Sequence, residues 1–360
     1  MEVIPFTELI TDCTKEATKL PKSTYQETGT IAIVDQGQDF IAGYTDESDG
    51  IFTKTPAIIF GDHTRVFKYV DFPFFIGADG VKVLKATRKI NYKYLYYYFL
   101  QAKFPNTGYA RHFKWLKELK IPVPSLEEQN NIAAQLDKCT TLIENYKQLL
   151  LKYDELIKSR FIEMFGDPVL NPKKWEIKKL NDISEYWNGL TYKPENVSDI
   201  GTIVLRSSNI QESNLDFNDI VRVNCNIKEK QFVKENDILM CSRNGSARLV
   251  GKVALIKEIK EPLAFGAFMM IIRSSFYPYL FTFFQTEAFR RQIRTGATTT
   301  VNQITNNMLD DIKLPLPPIE LQKEFYSFVQ QIDKSKFTIQ QSLEKIDCLF
   351  NSLLQEYFDK

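Results

Sequence analysis

The sequence predicts an α+β protein with an internal two-fold repeat, in which two mixed α/β domains are separated by two long antiparallel coiled-coil helices. Three observations lead to this fold class. The chain matches itself at an offset of 193 residues, and two long runs place apolar residues at a 3.5-residue period. The segments between these runs are rich in Val, Ile, Phe and Tyr and are broken by Gly, Asn and Asp, which is typical of strands joined by turns.

The repeat is clearest around two proline-rich stretches. The matching pairs are Ile121–Pro124 with Leu314–Pro317, Gln129 with Gln322, Asp154 with Asp347, Leu156 with Leu349, Glu163 with Glu356 and Phe165 with Phe358. All of them share one offset without a gap, which indicates two copies of one structural unit. The length of 360 residues and the hydrophobic content of 44% are sufficient for more than one buried core.

Four segments follow from the repeat. Residues 1–120 are expected to form the first domain, and residues 121–167 the first proline-rich stretch and spacer helix. Residues 168–312 are expected to form the second domain, and residues 313–360 the second stretch and helix. Short helices are expected within the domains at Tyr92–Lys103 and Tyr279–Arg294, because both segments are rich in aromatic residues and lie at comparable distances ahead of the prolines.

Each spacer helix is predicted from the spacing of its apolar residues. The first run keeps a 4-3-4-3 spacing from Ile132 to Arg160, and the second run keeps it from Phe325 to Tyr357, with Lys336 as the one polar residue of the seam. Prolines precede both runs, and Gly166-Asp167-Pro168 ends the first. Each helix is therefore expected to hold about 34 residues and to span about 50 Å.

Composition narrows the classes of function. The 46 Lys and Arg residues against 45 Asp and Glu residues give a net charge of +1, so any binding of nucleic acid has to be local. Residues 1–124 and 168–313 carry +2 and +4, whereas residues 125–167 and 314–360 carry −3 and −2. Five cysteines without a Cys-x-x-Cys pair, with only two histidines, argue against a zinc site and a disulfide framework. The acidic amino terminus and the lack of an 18-residue apolar run predict a cytoplasmic protein that does not enter a membrane.

Two segments of the first domain combine basic, polar and aromatic side chains after turn residues. Such side chains donate hydrogen bonds to bases and phosphates, and aromatic rings interleaved with cations suit a nucleic-acid surface. The candidate DNA-binding residues here are His63, Thr64, Arg65, Lys68, Tyr109, Arg111, His112 and Lys114. A surface turn at residues 60–65 and the core of a short helix at residues 109–115 would explain the same residues.

Three loops of the second domain are also polar and partly basic. Asn and Arg are the side chains that best match the edges of adenine and guanine. The candidate DNA-binding residues here are Arg206, Ser207, Ser208, Asn209, Arg243, Asn244, Ser246, Arg248, Thr299, Asn302 and Gln303. Plain turns are the alternative, because Ser, Thr, Asn and Gly are the ordinary residues of turns.

The sequence assigns no catalytic, cofactor-binding or metal-binding residue. Gly245 and Gly251-Lys252 have the wrong spacing for a phosphate-binding loop, and Val253 stands where a Ser or Thr would hold magnesium. Two sets have the form of a nuclease metal site, but such sets arise by chance in a chain with 25% charged residues. These sets are Asp167 with Glu176 and Lys178, and Asp237 with Glu258 and Lys260. A stand-alone metal-dependent nuclease and a coiled-coil scaffold protein are the alternatives to a DNA-binding protein.

The two-copy arrangement resembles the specificity subunit of Type I restriction-modification enzymes. The resemblance rests most specifically on the stretches Ile121–Gln129 and Leu314–Gln322 and on the helix end Phe161–Phe165. Other segments resemble blocks of the target-recognition domains of that family. They are Phe60–Arg65, Gly77–Gly80, Gly108–Phe113, Val204–Ile210, Asn244–Lys252, Phe265–Met269 and Asn302–Ile304.

The resemblance implies a non-catalytic subunit that binds double-stranded DNA with two target-recognition domains, each contacting one half of a bipartite site. It implies that the helices hold these domains apart and dock two methyltransferase subunits, which bind S-adenosylmethionine and methylate adenine N6. Restriction subunits that use ATP and magnesium join this core in complexes that cut DNA, and a complex that only methylates would give the same sequence pattern. The chain itself is expected to bind no cofactor.

Overall fold

The computed structural model describes residues 2–77, 79–105, 110–294 and 302–358. The chain divides into two units, of which unit 1 comprises residues 1–148 and 339–360 and unit 2 comprises residues 149–338. Each long helix therefore contributes residues to both units.

The strands and helices are numbered along the chain. The strands are β1 (Glu2–Pro5), β2 (Ile10–Asp12), β3 (Lys19–Leu20), β4 (Ile31–Val34), β5 (Gly43–Thr45), β6 (Ala57–Gly61), β7 (Phe67–Val70), β8 (Phe74–Gly77), β9 (Val81–Ala86), β10 (Lys120–Val123), β11 (Glu176–Lys179), β12 (Glu185–Asn188), β13 (Val197–Ser198), β14 (Thr202–Leu205), β15 (Ile210–Gln211), β16 (Asn214–Leu215), β17 (Arg222–Val223), β18 (Ile238–Cys241), β19 (Val253–Leu255), β20 (Leu263–Phe265), β21 (Met269–Arg273) and β22 (Lys313–Leu316). The α-helices are α1 (Phe6–Leu9), α2 (Tyr92–Leu100), α3 (Phe113–Leu116), α4 (Leu126–Phe165), α5 (Leu180–Ile183), α6 (Tyr277–Phe283), α7 (Glu287–Arg294), α8 (Asn306–Asp310) and α9 (Ile319–Phe358).

In unit 1 the central strand β6 lies between two hydrophobic cores. Successive side chains of a strand point to opposite faces, so Ile58 and Phe60 join a core with helix α2, whereas Ala57 and Ile59 join a core with the second sheet. The first sheet has the antiparallel order β2-β9-β6-β7, and the second has the order β3-β8-β4-β5. Unit 1 is therefore built from a helical layer and two sheets.

Unit 2 repeats this arrangement. Ile238 and Met240 of β18 join a core with α6 and α7, whereas Leu239 and Cys241 join a core with the second sheet. The order β12-β21-β18-β19 corresponds strand for strand to β2-β9-β6-β7. In the second sheet β14 and β20 form a parallel pair, as β4 and β8 do in unit 1. The predicted α+β fold class and its internal repeat are confirmed.

Helices α4 and α9 run antiparallel in both units. In unit 1 Leu136 near the start of α4 lies in one core with Leu354 near the end of α9. In unit 2 Phe161 near the end of α4 lies 5.7 Å, between ring centroids, from Phe325 near the start of α9. Every position of the predicted seam is buried or half-buried, and Lys336 reaches Asp154 of α4 at 2.6 Å. The polar residue of the seam therefore has a carboxylate as its partner.

Both helices are longer than the expected 34 residues, at 40 residues each. They start immediately after the proline-rich stretches. The Ser125 hydroxyl accepts a hydrogen bond from the Glu128 N–H at 3.2 Å, and the Pro318 carbonyl accepts one from Leu321 at 3.1 Å. These contacts satisfy N–H groups of the first turn that have no partner within the helix. At the other end of α4, Gly166 has a φ of +81° and donates to the Ile162 carbonyl, as expected for a helix stop at glycine.

The shared glutamine of the two helix starts has a structural role. Gln129 and Gln322 are buried, and each donates from Nε2 to a proline carbonyl five residues earlier, to Pro124 at 2.9 Å and to Pro317 at 2.7 Å. The Gln129 Oε1 also accepts the N–H of Asn91, the N-cap residue of α2, at 2.9 Å. This residue therefore ties the proline-rich stretch to the helix in each unit.

The expected short helices are present with changed limits. The first ends at Leu100, three residues earlier than expected. The second is divided into α6 and α7, because Thr286 interrupts the helix and its hydroxyl accepts a hydrogen bond from the N–H of Phe289 at 3.4 Å. A threonine that caps a new helix gives no signal in the apolar spacing on which the expectation rested.

Candidate nucleic-acid interface

Three loops of unit 1 meet at Asp62, the residue that follows strand β6. Its N–H donates to the Gly80 carbonyl at 2.7 Å, its carbonyl accepts the N–H of His112 at 2.9 Å, and its buried carboxylate accepts the N–H of Phe113 at 2.7 Å. Segments 62–66, 79–80 and 110–113 are thereby brought together, and they are called loop set 1. The two predicted segments of the first domain thus belong to one surface, although about 50 residues separate them in sequence.

The predicted residues that are exposed in loop set 1 and at its edge are Thr64, Arg65, Arg111 and Lys114, while His63 is half-buried. Asp79 is exposed as well. Arg65 has a φ of +62°, a conformation imposed by the tight hairpin turn between β6 and β7. Arg111 lies near Asp79, whose pKa is lowered mainly by a hydrogen bond from Lys19 and further by the charge of Arg111. Tyr109 lies outside the described residues.

Lys68 and His112 are placed in the interior. Lys68 is 3% exposed, and its ammonium donates to the carbonyls of Asp35 at 2.8 Å and Asp39 at 2.5 Å. Burial lowers the pKa of Lys68. The His112 ring is also buried, with Nδ1 at 3.0 Å from the Asp62 carbonyl oxygen. Neither side chain is presented at the surface, so both hold the loops in place and neither is part of the interface that we propose below.

Four loops of unit 2 meet around Ser242, the residue that follows strand β18. Its N–H donates to the Phe268 carbonyl at 3.0 Å, and its carbonyl accepts the N–H of Ile304 at 2.7 Å. Asn244 donates from Nδ2 to the Ser207 hydroxyl at 3.1 Å. Segments 206–208, 242–248, 266–268 and 302–304 are thereby brought together, and they are called loop set 2.

The two loop sets are built on the same hydrogen-bond scheme. The residue after the central strand, β6 or β18, donates its N–H to a carbonyl in the loop ahead of β9 or β21. Its carbonyl accepts an N–H from the segment ahead of the short helix α3 or α8. Asp62, Gly80 and His112 in unit 1 therefore correspond to Ser242, Phe268 and Ile304 in unit 2. The structural repeat therefore includes the loops, whereas the corresponding loop residues are not all separated by the same number of residues in the sequence.

The predicted residues of the second domain all lie in or beside loop set 2, except Thr299, which is outside the described residues. Arg243, Ser246, Arg248 and Asn302 are exposed, and Arg206, Ser207, Ser208, Asn244 and Gln303 are half-buried. Asn209 is buried. Its amide donates to the carbonyls of Asp216 and Asp219 at 2.9 and 2.8 Å, which closes the loop that follows β14.

Arg206 is less available than its position in the sequence indicates. Its guanidinium forms an ion pair with the Asp219 carboxylate at 2.8 Å, and about a third of its side chain is exposed. Its Nε is buried, with no hydrogen-bond partner among the described residues. The exposed cations among the predicted residues of loop set 2 are therefore Arg243 and Arg248.

The structure also brings in a residue that the sequence analysis named only as part of the block Phe265–Met269. Phe268 is 58% exposed within loop set 2, and the Arg243 guanidinium lies 5.3 Å from its ring centroid. An isolated phenylalanine in an apolar segment has no sequence pattern that separates it from a core residue, since strand β21 begins at the next position.

The two nuclease-like sets are occupied by other contacts. Asp237 is buried and binds the Arg273 guanidinium through two hydrogen bonds of 2.7 and 2.6 Å. Asp167 accepts the N–H groups of Val169 and Leu170 at the end of α4. Within the described ranges, no three His, Cys, Asp or Glu side chains are grouped so that they could hold a metal ion. A search of the same ranges finds no helix with the length and apolar character needed to cross a membrane.

A family model described as the Type I restriction modification DNA specificity domain matches residues 2–152 and 172–346. The chain belongs to this family. The match includes both loop sets and most of both long helices, so the resemblance predicted from the proline-rich stretches is confirmed.

Curated members of the specificity family show the same relationship. The chain is 27% identical to the EcoKI specificity subunit of Escherichia coli strain K12 over 264 residues, which are 67% of this chain and 56% of that protein. It is 31% identical to the EcoR124I/EcoR124II specificity subunit of Escherichia coli over 46% of this chain and 44% of that protein. These matches thus span about half the length of the two relatives. The MjaVIII specificity subunit of Methanocaldococcus jannaschii is 23% identical over 76% of this chain and 73% of that protein.

Solved structures share the fold of this specificity-family chain. The S subunit of a Type I restriction-modification system from M. genitalium matches with a TM-score of 0.59 and 16% identity, covering 96% of this chain and 94% of that one. A chain solved in work on complex assembly and conformational transition of the type I R-M system matches with a TM-score of 0.52 and 16% identity, covering 98% and 94%. At this identity the likeness concerns the fold alone.

Proposed function

We propose that this chain is the specificity subunit of a Type I restriction-modification complex and that each unit reads one half of a bipartite DNA site through its loop set. The observation that carries the proposal is the repeated loop architecture. Both units gather exposed arginines and small polar side chains at the same place in the fold, after the central strand of the first sheet. Membership of the specificity family supports the assignment to DNA.

The exposed side chains have the chemistry that DNA recognition requires. Arg65 and Arg111 in unit 1, and Arg243 and Arg248 in unit 2, offer guanidinium groups that bind phosphates or the O6 and N7 atoms of guanine. Asn302 offers an amide, which matches the N6 and N7 atoms of adenine. The buried Lys68, His112 and Asn209 position these loops from inside.

On this proposal the chain itself carries out no reaction and binds no cofactor. Two methyltransferase subunits would bind S-adenosylmethionine and methylate adenine N6, and restriction subunits would use ATP and magnesium in a complex that also cuts DNA. The antiparallel helices would dock the methyltransferase subunits.

The decisive experiment maps methylation. The chain is co-expressed with a Type I methyltransferase subunit in a host without adenine methylation of its own, and methylated adenines are located by sequencing the genome. We expect methylation at one bipartite sequence, and none when either chain is expressed alone. Methylation that does not depend on this chain, or that follows no bipartite sequence, would contradict the proposal.

A second experiment separates this function from a nuclease. The purified chain is incubated with duplex DNA, magnesium and S-adenosylmethionine, and neither cleavage nor methyl transfer is expected. Cleavage that disappears in Glu176→Ala or Lys178→Ala would favour the stand-alone nuclease instead.

A further inference from the structure

We infer that Phe268 of unit 2 is a DNA-contacting residue whose ring stacks on a base of the half-site read by that unit, and that unit 1 has no aromatic contact at the equivalent position. This inference rests on the proposed function and adds to it a residue and a difference between the two half-sites.

The first argument is exposure in an unusual place. Phe268 is 58% exposed, while Phe265, three residues earlier, is fully buried in the core of unit 2. Exposed aromatic rings cost free energy in water, and a ring beside cations suits the binding of single nucleic-acid bases. Bases stack on aromatic side chains whatever their sequence, because every base has a π-face.

The second argument is rigidity. The Phe268 carbonyl accepts two hydrogen bonds, from the N–H groups of Ser242 at 3.0 Å and Arg243 at 3.1 Å. The turn is closed by a bond of 2.8 Å from the Met269 N–H to the Gly266 carbonyl. A Cβ at Gly189 would lie 2.1 Å from the Phe265 carbonyl oxygen, so the chain there packs directly against the base of this turn. A backbone held in this way loses little conformational freedom on binding.

The third argument is charge. The Arg243 guanidinium lies 5.3 Å from the ring centroid of Phe268, within the range of a cation–π contact. Arg243 is itself exposed. The pair presents an apolar face beside a cation, and a nucleotide presents a base beside a phosphate. The two groups are therefore complementary to one nucleotide of a DNA strand.

The fourth argument is the difference between the units. Gly80 stands in unit 1 at the place of Phe268, by the shared hydrogen-bond scheme. It has a φ of +89°, and a Cβ added there would lie 2.7 Å from Cδ2 of His63. A side chain at this position would therefore collide with the loop set, so an aromatic ring has no room at the position of unit 1 that corresponds to Phe268.

The test uses the full chain and duplexes that it selects from a random-sequence pool. Phe268→Ala is expected to lower affinity for the selected duplex about tenfold or more and to relax preference in one half-sequence only. Phe268→Tyr should keep near-normal affinity, whereas Phe268→Leu should behave like the alanine variant, because leucine keeps apolar area but loses the π-face. Phe337→Ala is the matched control, since Phe337 is a 64% exposed phenylalanine on α9, outside the loop sets. The affinity of this variant for the selected duplex should equal that of the wild type.

Phe268→Trp adds a spectroscopic readout. Its fluorescence, after subtraction of the wild-type signal, should be quenched by the selected duplex and not by an unselected one. Equal affinity and an unchanged selected sequence in Phe268→Ala, with circular dichroism showing a folded chain, would overturn the inference while leaving the proposed function intact. A wild-type chain that selects no sequence would count against the proposed function itself. Wild-type affinity of Phe268→Leu for the selected duplex would overturn stacking as the mode of contact.

Discussion

At the scale of single residues, Lys68 and Lys252 show how a basic residue beside a hairpin turns inward. Lys252 donates to the Ile210 carbonyl at 2.8 Å, as Lys68 donates to the carbonyls after β4, and burial lowers the pKa of both. Lys68 thereby connects β7 to the loop that follows β4, and Lys252 connects the start of β19 to the segment that follows β14. The sequence places Lys68 close to Arg65, but it does not show that strand β7 is covered on the side of Lys68.

The first prediction concerns Arg65, which is exposed and forms no ion pair with any residue that the structure describes. Arg65→Ala is expected to weaken binding of the selected duplex by about 1–3 kcal/mol if the guanidinium reads guanine. If it touches a phosphate, affinity should fall about equally on all sequences and the salt dependence should decrease by about one counterion. Fluorescence anisotropy at several salt concentrations distinguishes these two contacts.

The control is Arg88→Ala, which removes the same charge from the same unit. Arg88 pairs with Glu2 and follows the far end of β9 from loop set 1. Its replacement should leave affinity and salt dependence unchanged. Equal losses in both variants would mean that net charge, and not loop set 1, governs binding.

At the scale of elements, the glutamines at the two helix starts lead to a second prediction. Gln129→Met removes a bond to Pro124 and one from Asn91, whereas Gln322→Met removes only the bond to Pro317. The Gln322 Oε1 has no hydrogen-bond partner among the described residues, so removing this oxygen should cost little free energy of folding. Each buried group left unpaired costs about 1–3 kcal/mol, so Gln129→Met should have the larger effect.

Hydrogen exchange measures these effects locally. Gln129→Met should speed exchange at the starts of both α2 and α4, and Gln322→Met should speed it, to a smaller extent, at the start of α9 only. An equal or larger effect of Gln322→Met would show that the hydrogen bonds of these side chains do not set the stability of the helix starts.

A third prediction tests the helix seam. Ile143 is 9% exposed, while its neighbour Leu142 is 44% exposed. Ile143→Asp places a carboxylate in the seam, which costs several kcal/mol unless the helices separate. Leu142→Asp places the same charge on the outer face and should change the free energy of unfolding by less than about 0.5 kcal/mol. Urea unfolding and co-purification with a methyltransferase subunit should therefore distinguish the two variants. Equal stability and equal co-purification of both variants would mean that the seam has been assigned to the wrong face of the helix.

The helices were the most predictable elements, for a physical reason. A 3.5-residue apolar period and prolines at the entrance are local properties of the chain, so the seam and the stop at Gly166 could be predicted from sequence. The expected length of about 34 residues was six residues too short, because it counted only the apolar pattern, and Ser125, which caps Glu128, lies ahead of that pattern. The break at Thr286 was missed for the same reason.

The candidate site was only partly predictable, because it depends on contacts between distant segments. Residue type indicated most of the segments that the structure brings together in the two loop sets, and the contact of these segments with DNA stays a prediction. Residue type did not show that His112 and Asn209 are buried, since their burial follows from hydrogen bonds to Asp62 and Asp216. It also did not separate Phe268 from the rest of the block Phe265–Met269, because only the structure shows that this ring is exposed.

At the scale of the whole molecule, each loop set is built entirely from residues of its own unit. Loop set 1 uses residues 62–66, 79–80 and 110–113, all in unit 1, and loop set 2 uses residues between 206 and 304, all in unit 2. The described segments of the two sets therefore have no residue in common. Independent reading of two half-sequences is therefore expected.

The last prediction tests this independence with Arg65→Ala, Arg248→Ala and the double variant. Each single change should relax preference in a different half of the selected sequence, because each removes an exposed cation from a different loop set. In the double variant both halves should be relaxed, and the free energies lost should add to within about 0.5 kcal/mol, as they do for sites that share no partner. Selection from a random duplex pool, followed by affinity measurements on the selected duplex, gives both results. If both single variants relaxed the same half-sequence, or if the double variant lost far less than the sum, the two loop sets would act as one surface on a single sequence, and the assignment of one unit to each half-site would have to be abandoned.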